Sequence, residues 1–188
     1  LPKPAEAYGI AGWSKDGDRV VLYDRYDMWV IDLTGEKTIY SLTDGYGRTT
    51  NRQFRWLKDD YGDKIIDFEN GFLMTSVNLE NRDEGIYRFQ ANGKLKKLME
   101  GPYSVTVNQK SVDQKYCIFT RQSYTEFRDL WWSDLAFTRP VKITNTNPQQ
   151  KNYLWGSVKL VEWTNFEGKR NRGLLYLPDG YDSSKRYP

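Results

Sequence analysis

The chain has 188 residues, with 28 lysines and arginines against 25 acids, a net charge of +3 and no histidine. So small a charge, interspersed with acids, does not specify a nucleic-acid surface, and the missing imidazole excludes a histidine base within these residues. One cysteine, Cys117, rules out an intrachain disulfide, and no apolar run approaches the roughly 18 residues of a membrane helix. Aromatic residues make up 15% of the chain, so tryptophan and tyrosine can supply buried area that aliphatics would otherwise provide. This is the composition of a folded, aromatic-rich β protein, and nothing in it calls for a cofactor.

Taken in order, Ala7–Trp13 reads as a short inner strand. Ser14–Asp18 turns the chain through Asp16-Gly17, since glycine supplies the positive φ a tight turn needs. Val20–Tyr23 and Met28–Leu33 follow as strands, then a turn at Thr34–Lys37 and an outer strand at Thr38–Thr43. A second unit begins with the alternating Arg52–Leu57 and continues through the polar insertion Lys58–Lys64, with Ile65–Asp67 inside it. It goes on with Phe72–Thr75, a loop at Asn78–Glu84, Gly85–Gln90, the Asn92-Gly93 hairpin turn and Lys96–Met99. The third runs through Ser104–Val107, Tyr116–Phe119, a loop at Arg121–Arg128, Asp129–Leu135 and Val141–Thr144. No segment has helical periodicity.

The third strand of each unit repeats an aromatic residue at Trp29, Tyr87 and Trp131, spaced 58 and then 44 residues apart. The polar insertion accounts for the longer first step. A repeat of roughly 40–50 residues made only of short strands is the sequence form of a β-propeller blade. The expected fold is therefore all-β: a partial, open β-propeller of about three four-stranded blades (about 6–43, 50–99 and 101–146) within residues 1–147. Residues 148–188 break the pattern. Ser157–Trp163, a turn at Asn165–Lys169 and Arg172–Leu177 form a hairpin with no blade behind it, and an ending on Tyr187-Pro188 reads as cut rather than finished. A closed propeller needs about four to eight blades, so uncovered terminal sheets are expected, with self-association through them or an open stack.

Trp13-Ser14-Lys15-Asp16-Gly17 before Val20–Tyr23 resembles the Ser-Pro-Asp-Gly turn and strand of TolB-type propeller repeats, with Lys15 at the usual proline. Asn147-Pro148-Gln149, Val158–Trp163, Glu167-Gly168, Gly173–Pro178 and Lys185-Arg186-Tyr187-Pro188 together resemble the propeller-to-hydrolase junction of the prolyl oligopeptidase family, which includes dipeptidyl peptidase IV-like enzymes. Asn70–Phe72, Glu84–Tyr87 and Gly101–Ser104 resemble late blades of bacterial members. The resemblance implies that residues 148–188 open an α/β-hydrolase domain and that the parent protein is a serine peptidase acting on peptides, with the propeller gating access. It also implies export to the periplasm or outside the cell, though the start of the chain lacks a signal peptide's apolar segment. The G-x-S-x-G nucleophile elbow is absent from these residues, and no adjacent Glu-Glu pair stands where dipeptidyl peptidases hold a substrate amino terminus. No catalytic, cofactor-binding or metal residue is carried over, and the chain by itself is expected to be inactive. The alternative is a non-enzymatic TolB-like propeller binding a protein or glycan.

Asp59, Asp60 and Asp63 form an acidic run, more often a solvated insertion than a metal site. Asp24, Asp27, Asp32 and Asp134 recur around the blade hairpins, which suits architecture. Trp131 and Trp132 must face opposite sides of their strand, one towards the core and one available for docking. Cys117 sits mid-strand as an inert thiol, and Gly45-Tyr46-Gly47 lacks the following helix that a phosphate cradle needs. Arg52–Trp56 mixes arginine and aromatics, but an inner strand explains it better than base stacking. The loops Asn78–Glu84 and Arg121–Arg128 are expected at one end of the propeller, facing the hydrolase or its substrate.

Overall fold

A computed structural model describes residues 6–35, 39–58 and 65–187. The first blade contains β1 (Ile10–Ser14), β2 (Arg19–Tyr23), β3 (Met28–Asp32) and β4 (Ile39–Ser41), paired antiparallel in sequence. A one-turn helix, α1 (Tyr46–Thr49), leads to the second blade, whose strands are β5 (Arg52–Trp56), β7 (Phe72–Asn78), β8 (Glu84–Phe89) and β9 (Leu95–Gly101). Between β5 and β7 lies β6 (Ile65–Ile66). The third blade comprises β10 (Ser104–Lys110), β11 (Tyr116–Gln122), β12 (Asp129–Asp134) and β13 (Val141–Lys142). A 3-10 turn at Pro148–Asn152 precedes the hairpin of β14 (Ser157–Thr164) and β15 (Arg170–Leu177).

The blades stack through two aromatic cores. Alternation along β7 sends Phe72 and Met74 towards the first blade and Leu73 towards the third, so the second blade is buried on both faces. Between the first two blades, Val21, Met28 and Val30 meet Phe54, Tyr87 and Phe89. The rings of Phe54 and Tyr87 cross edge to face at 5.0 Å, and those of Phe72 and Phe89 stack at 5.1 Å. Between the second and third blades, Leu73 and Ile86 meet Cys117, Phe119 and Phe137, with Trp131 against the edge. Gly71 is required where β7 starts: its φ is +73°, and a Cβ would lie 2.2 Å from the Phe89 carbonyl oxygen.

Several expectations change. Ile65–Ile66 does not idle inside the insertion; it pairs parallel with Trp13 and Ser14, giving the first blade a fifth strand. The outer strand expected at Thr38–Thr43 ends at Ser41, with Leu42 and Thr43 in a turn and Thr38 outside the described residues, and α1 is a helix where none was expected. Both middle loops are shorter than their polarity suggested. The strands run on through Asn78 and Gln122 and restart at Glu84 and Asp129, because ladder hydrogen bonds need no apolar side chain. Asp59, Asp60 and Asp63 lie outside the described residues.

Candidate functional site

In a four-stranded antiparallel meander, the turn between the second and third strands and the exit from the fourth lie at the same end. At that end each blade places a carboxylate at the start of its third strand, aimed at the segment leaving its fourth. Asp27 is fully buried and accepts from the Thr43 hydroxyl, from the Gly47 amide at 2.7 Å and from the Arg48 amide at 3.0 Å. Glu84 accepts from the Ser104 hydroxyl at 3.0 Å and the Val105 amide at 2.9 Å. Asp129 accepts from the Thr144 hydroxyl at 2.7 Å and the Thr146 amide at 2.8 Å, and pairs with the Lys142 ammonium at 2.6 Å. Burial opposes ionisation of Asp129, but Lys142 and the two threonines outweigh it and hold the carboxyl well below the usual carboxylate range. These three clips set where each connecting segment leaves the sheet.

The last of those segments carries the hairpin back onto the same end. Tyr124 packs edge to face on Trp155 at 6.0 Å and tilts against Tyr176 of β15 at 5.6 Å. The Gln150 side-chain amide donates to the Thr125 carbonyl at 2.9 Å, and the Trp155 indole donates to the Gln150 carbonyl at 3.1 Å. From the hairpin, Arg172 donates to the Leu79 carbonyl at 3.3 Å and lies 3.8 Å from the Glu80 carboxylate. Both middle loops, 79–83 and 123–128, thus touch the hairpin. Beneath the second loop, Arg121 makes a two-pronged pair with Glu126 at 2.9 and 3.1 Å and lies 4.0 Å over the Trp131 ring. A cleft of about 510 Å³ opens between this loop and Trp155, walled by Tyr124, Phe127, Arg128 and Gln150.

Other residues flagged in the sequence serve the architecture. Asp24 caps its turn through the Tyr26 amide at 2.7 Å and pairs with Arg48 at 2.9 Å. Asp32 and Asp134 accept from the backbone and hydroxyl of Thr34 and from the amides of Ala136 and Thr138. Gly45-Tyr46-Gly47 opens a single helical turn, α1, rather than lacking one, but the amides of Gly47 and Arg48 are taken by Asp27, and a Cβ at residue 47 would collide with that carboxylate. Cys117 is buried, and burial pushes its thiol up to about 11. Trp131 faces the second blade, whereas Trp132 is 39% exposed and stacks on Tyr116.

The Arg52–Trp56 segment is an inner strand, and its arginine completes a cluster that sequence inspection missed. Arg52 binds Glu100 through two hydrogen bonds of 3.0 and 2.8 Å, and the Tyr87 hydroxyl donates to the same carboxylate at 2.7 Å. Arg52 holds Glu100 below its ordinary value, while burial and that carboxylate push Tyr87 up. Every partner is satisfied, so the cluster ties the first strand of the blade to the last. Among the described residues, no group of three or more histidine, cysteine or acidic side chains is placed to hold a metal, and no helix is long and apolar enough to cross a membrane.

No family model and no curated protein matches the chain. Solved structures do. A variant of the AtxE2 isopeptidase with astexin3-dC4 bound superposes with a TM-score of 0.61 at 16% identity, over 99% of this chain and 28% of that one. Puromycin hydrolase gives a TM-score of 0.50 at 13% identity, over 89% of this chain and 25% of that one. The chain spans about a quarter of the length of either protein. The chain is thus a partial, open β-propeller of three blades with a trailing hairpin, similar in fold to part of the AtxE2 isopeptidase and of puromycin hydrolase.

Proposed function

We propose that the chain is the propeller portion of a serine peptidase of the prolyl oligopeptidase type, whose loop end meets the catalytic unit and limits which peptides reach it. The observation that carries this is the seating of the hairpin on that end, by Tyr124 against Trp155 and Tyr176 and by Arg172 on the 79–83 loop. A propeller that only bound a partner has no use for a strand pair that exposes side chains on both faces. The likeness to the isopeptidase runs over 99% of the chain, and puromycin hydrolase, by its name, is also a hydrolase. In this scheme residues 1–147 form the propeller portion, and residues 148–188 the junction and first hairpin of an α/β-hydrolase domain. The whole enzyme transfers the acyl group of a peptide bond to serine and then to water. Serine, acid and histidine are all supplied from outside these residues. The accompanying setting is an exported bacterial enzyme.

Sequencing the coding region beyond residue 188 is the test. A G-x-S-x-G elbow followed by an aspartate and a histidine, within roughly two hundred codons, is the expected result. A stop codon or a further blade overturns it and favours a TolB-like propeller that binds a protein or glycan. We also infer that the outer face of the third blade, with Leu130 and Trp132 partly exposed, takes a blade of a second copy when the chain is alone. A single monomeric boundary in sedimentation velocity at high protein concentration counts against it.

A further inference from the structure

We propose that the cleft between the 123–128 loop and the Pro148–Asn152 turn is a binding subsite for a peptide segment that presents a carboxylate. The charge balance of its walls points there. Both oxygens of Glu126 in the cleft are occupied by Arg121, and in the hollow beside it the Asp129 carboxylate is shared among Thr144, Thr146 and Lys142. The negative charges at and beside the cleft are therefore already neutralised. Arg128 and Lys151 are not: neither has an ion-pair partner among the described residues, and Arg128 lines this cleft while Lys151 lines the hollow beside it. Arg128 is nonetheless placed, because its Nε donates to the Gln122 side-chain oxygen at 3.0 Å. That leaves the outer edge of the guanidinium free to donate to a carboxylate in two-pronged fashion.

The rest of the wall is aromatic. Phe127 is 51% exposed and Trp155 is 42% exposed, so two large rings stand open to solvent beside an uncompensated cation. Rings and cation together match an apolar side chain next to a carboxylate, as at a peptide C-terminus or an acidic residue. The volume of about 510 Å³ falls within the range of ligand clefts, and the walls come from two structural units, where such clefts concentrate. The choice of a peptide as ligand rests on the peptidase reading; the charge and shape argument does not.

The experiment is calorimetric titration of this chain with acetyl-Ala-Phe-Ala as its free acid and as its C-terminal amide, at an ionic strength of about 20 mM where screening is weak. The acid is expected to bind about tenfold more tightly than the amide. Arg128→Gln abolishes that difference, Arg128→Lys keeps part of it, and Trp155→Ala weakens acid and amide alike. Both substituted side chains are solvent-exposed, and circular dichroism confirms that each variant is folded. Equal affinity for acid and amide, no binding of either, or a preference that survives Arg128→Gln combined with Lys151→Gln overturns the subsite. The peptidase reading is judged separately from the coding sequence, so either can fail without the other.

Discussion

The second blade and the terminal hairpin are built from the same material and held in opposite ways. Each is made of antiparallel ladders, eight residue pairs without a break in the case of β14 and β15 and a single register shift, between Ile86 and Tyr87, in the blade. The blade buries Phe54, Met74, Ile86 and Tyr87 almost completely, whereas not one hairpin residue is buried and Trp163, Phe166, Leu174 and Tyr176 stand substantially open. Hydrogen bonding is therefore not what separates them; burial of apolar area is. An isolated two-stranded ribbon is marginal in water, so this one depends on its contacts with the loop end and on whatever else covers its faces.

The comparison breaks first at the core. Phe119→Ala, at a side chain with no exposure between the second and third blades, is expected to cost about 3–5 kcal/mol in equilibrium urea unfolding. A loss below about 1 kcal/mol would mean that the blades do not unfold as one packed stack.

Next come the carboxylate clips. Asp129→Asn is expected to lose roughly 1–3 kcal/mol at neutral pH, because a charge-assisted acceptor of several donors is replaced by a neutral one. The pH dependence has a definite sign. A carboxyl whose folded pKa lies below its unfolded value of about 3.9 contributes its full stabilisation above that pH and loses it as the pH falls through the depressed value. Acid titration of unfolding should therefore show a decline below about pH 4 in the parent that is shallower in the Asn variant. Glu100, held down by Arg52, adds to the decline in both.

The hairpin should respond to its anchor rather than to its own faces. Tyr124→Ala removes two ring contacts and should speed amide exchange in β14 and β15 by about tenfold, with β7 and β8 unchanged. Unaltered exchange would show that Arg172 and Gln150 hold the ribbon alone. The smallest effect belongs to Trp163→Ala: at a ring 49% exposed, it should change the urea midpoint by less than the equivalent of about 1 kcal/mol. A loss approaching that of Phe119→Ala would erase the distinction.

The blades were legible because each repeats an apolar second strand and an aromatic third, and the period of roughly fifty residues survives the insertion. Inward and outward positions were readable where alternation holds, as at Trp131 and Trp132. Other features had no local signal. Ile65–Ile66 is two residues long and pairs in parallel with a distant strand, and α1 is a single turn, too short for any period to show. Of the clip acids only Asp27 stood among the carboxylates seen to recur, with Asp24, Asp32 and Asp134; Glu84 and Asp129 did not, because their partners lie in the following segments, Ser104 and Val105 for Glu84 and Thr144 and Thr146 for Asp129. The loop-end cluster was hidden for the same reason: Tyr124, Trp155 and Tyr176 are ordinary aromatics until the chain returns and stacks them.

The parallel pairing of β6 with β1 joins Trp13 to Ile65 across the rest of the first blade and the first strand of the second. The meander β1 to β4 can zip up from neighbouring turns, but its fifth strand arrives only once the chain has traversed β5. That step closes a long loop and raises the contact order of an otherwise local architecture. The first blade is therefore finished by its neighbour. During synthesis from the amino terminus, its sheet stays one strand short until the second blade has begun to emerge.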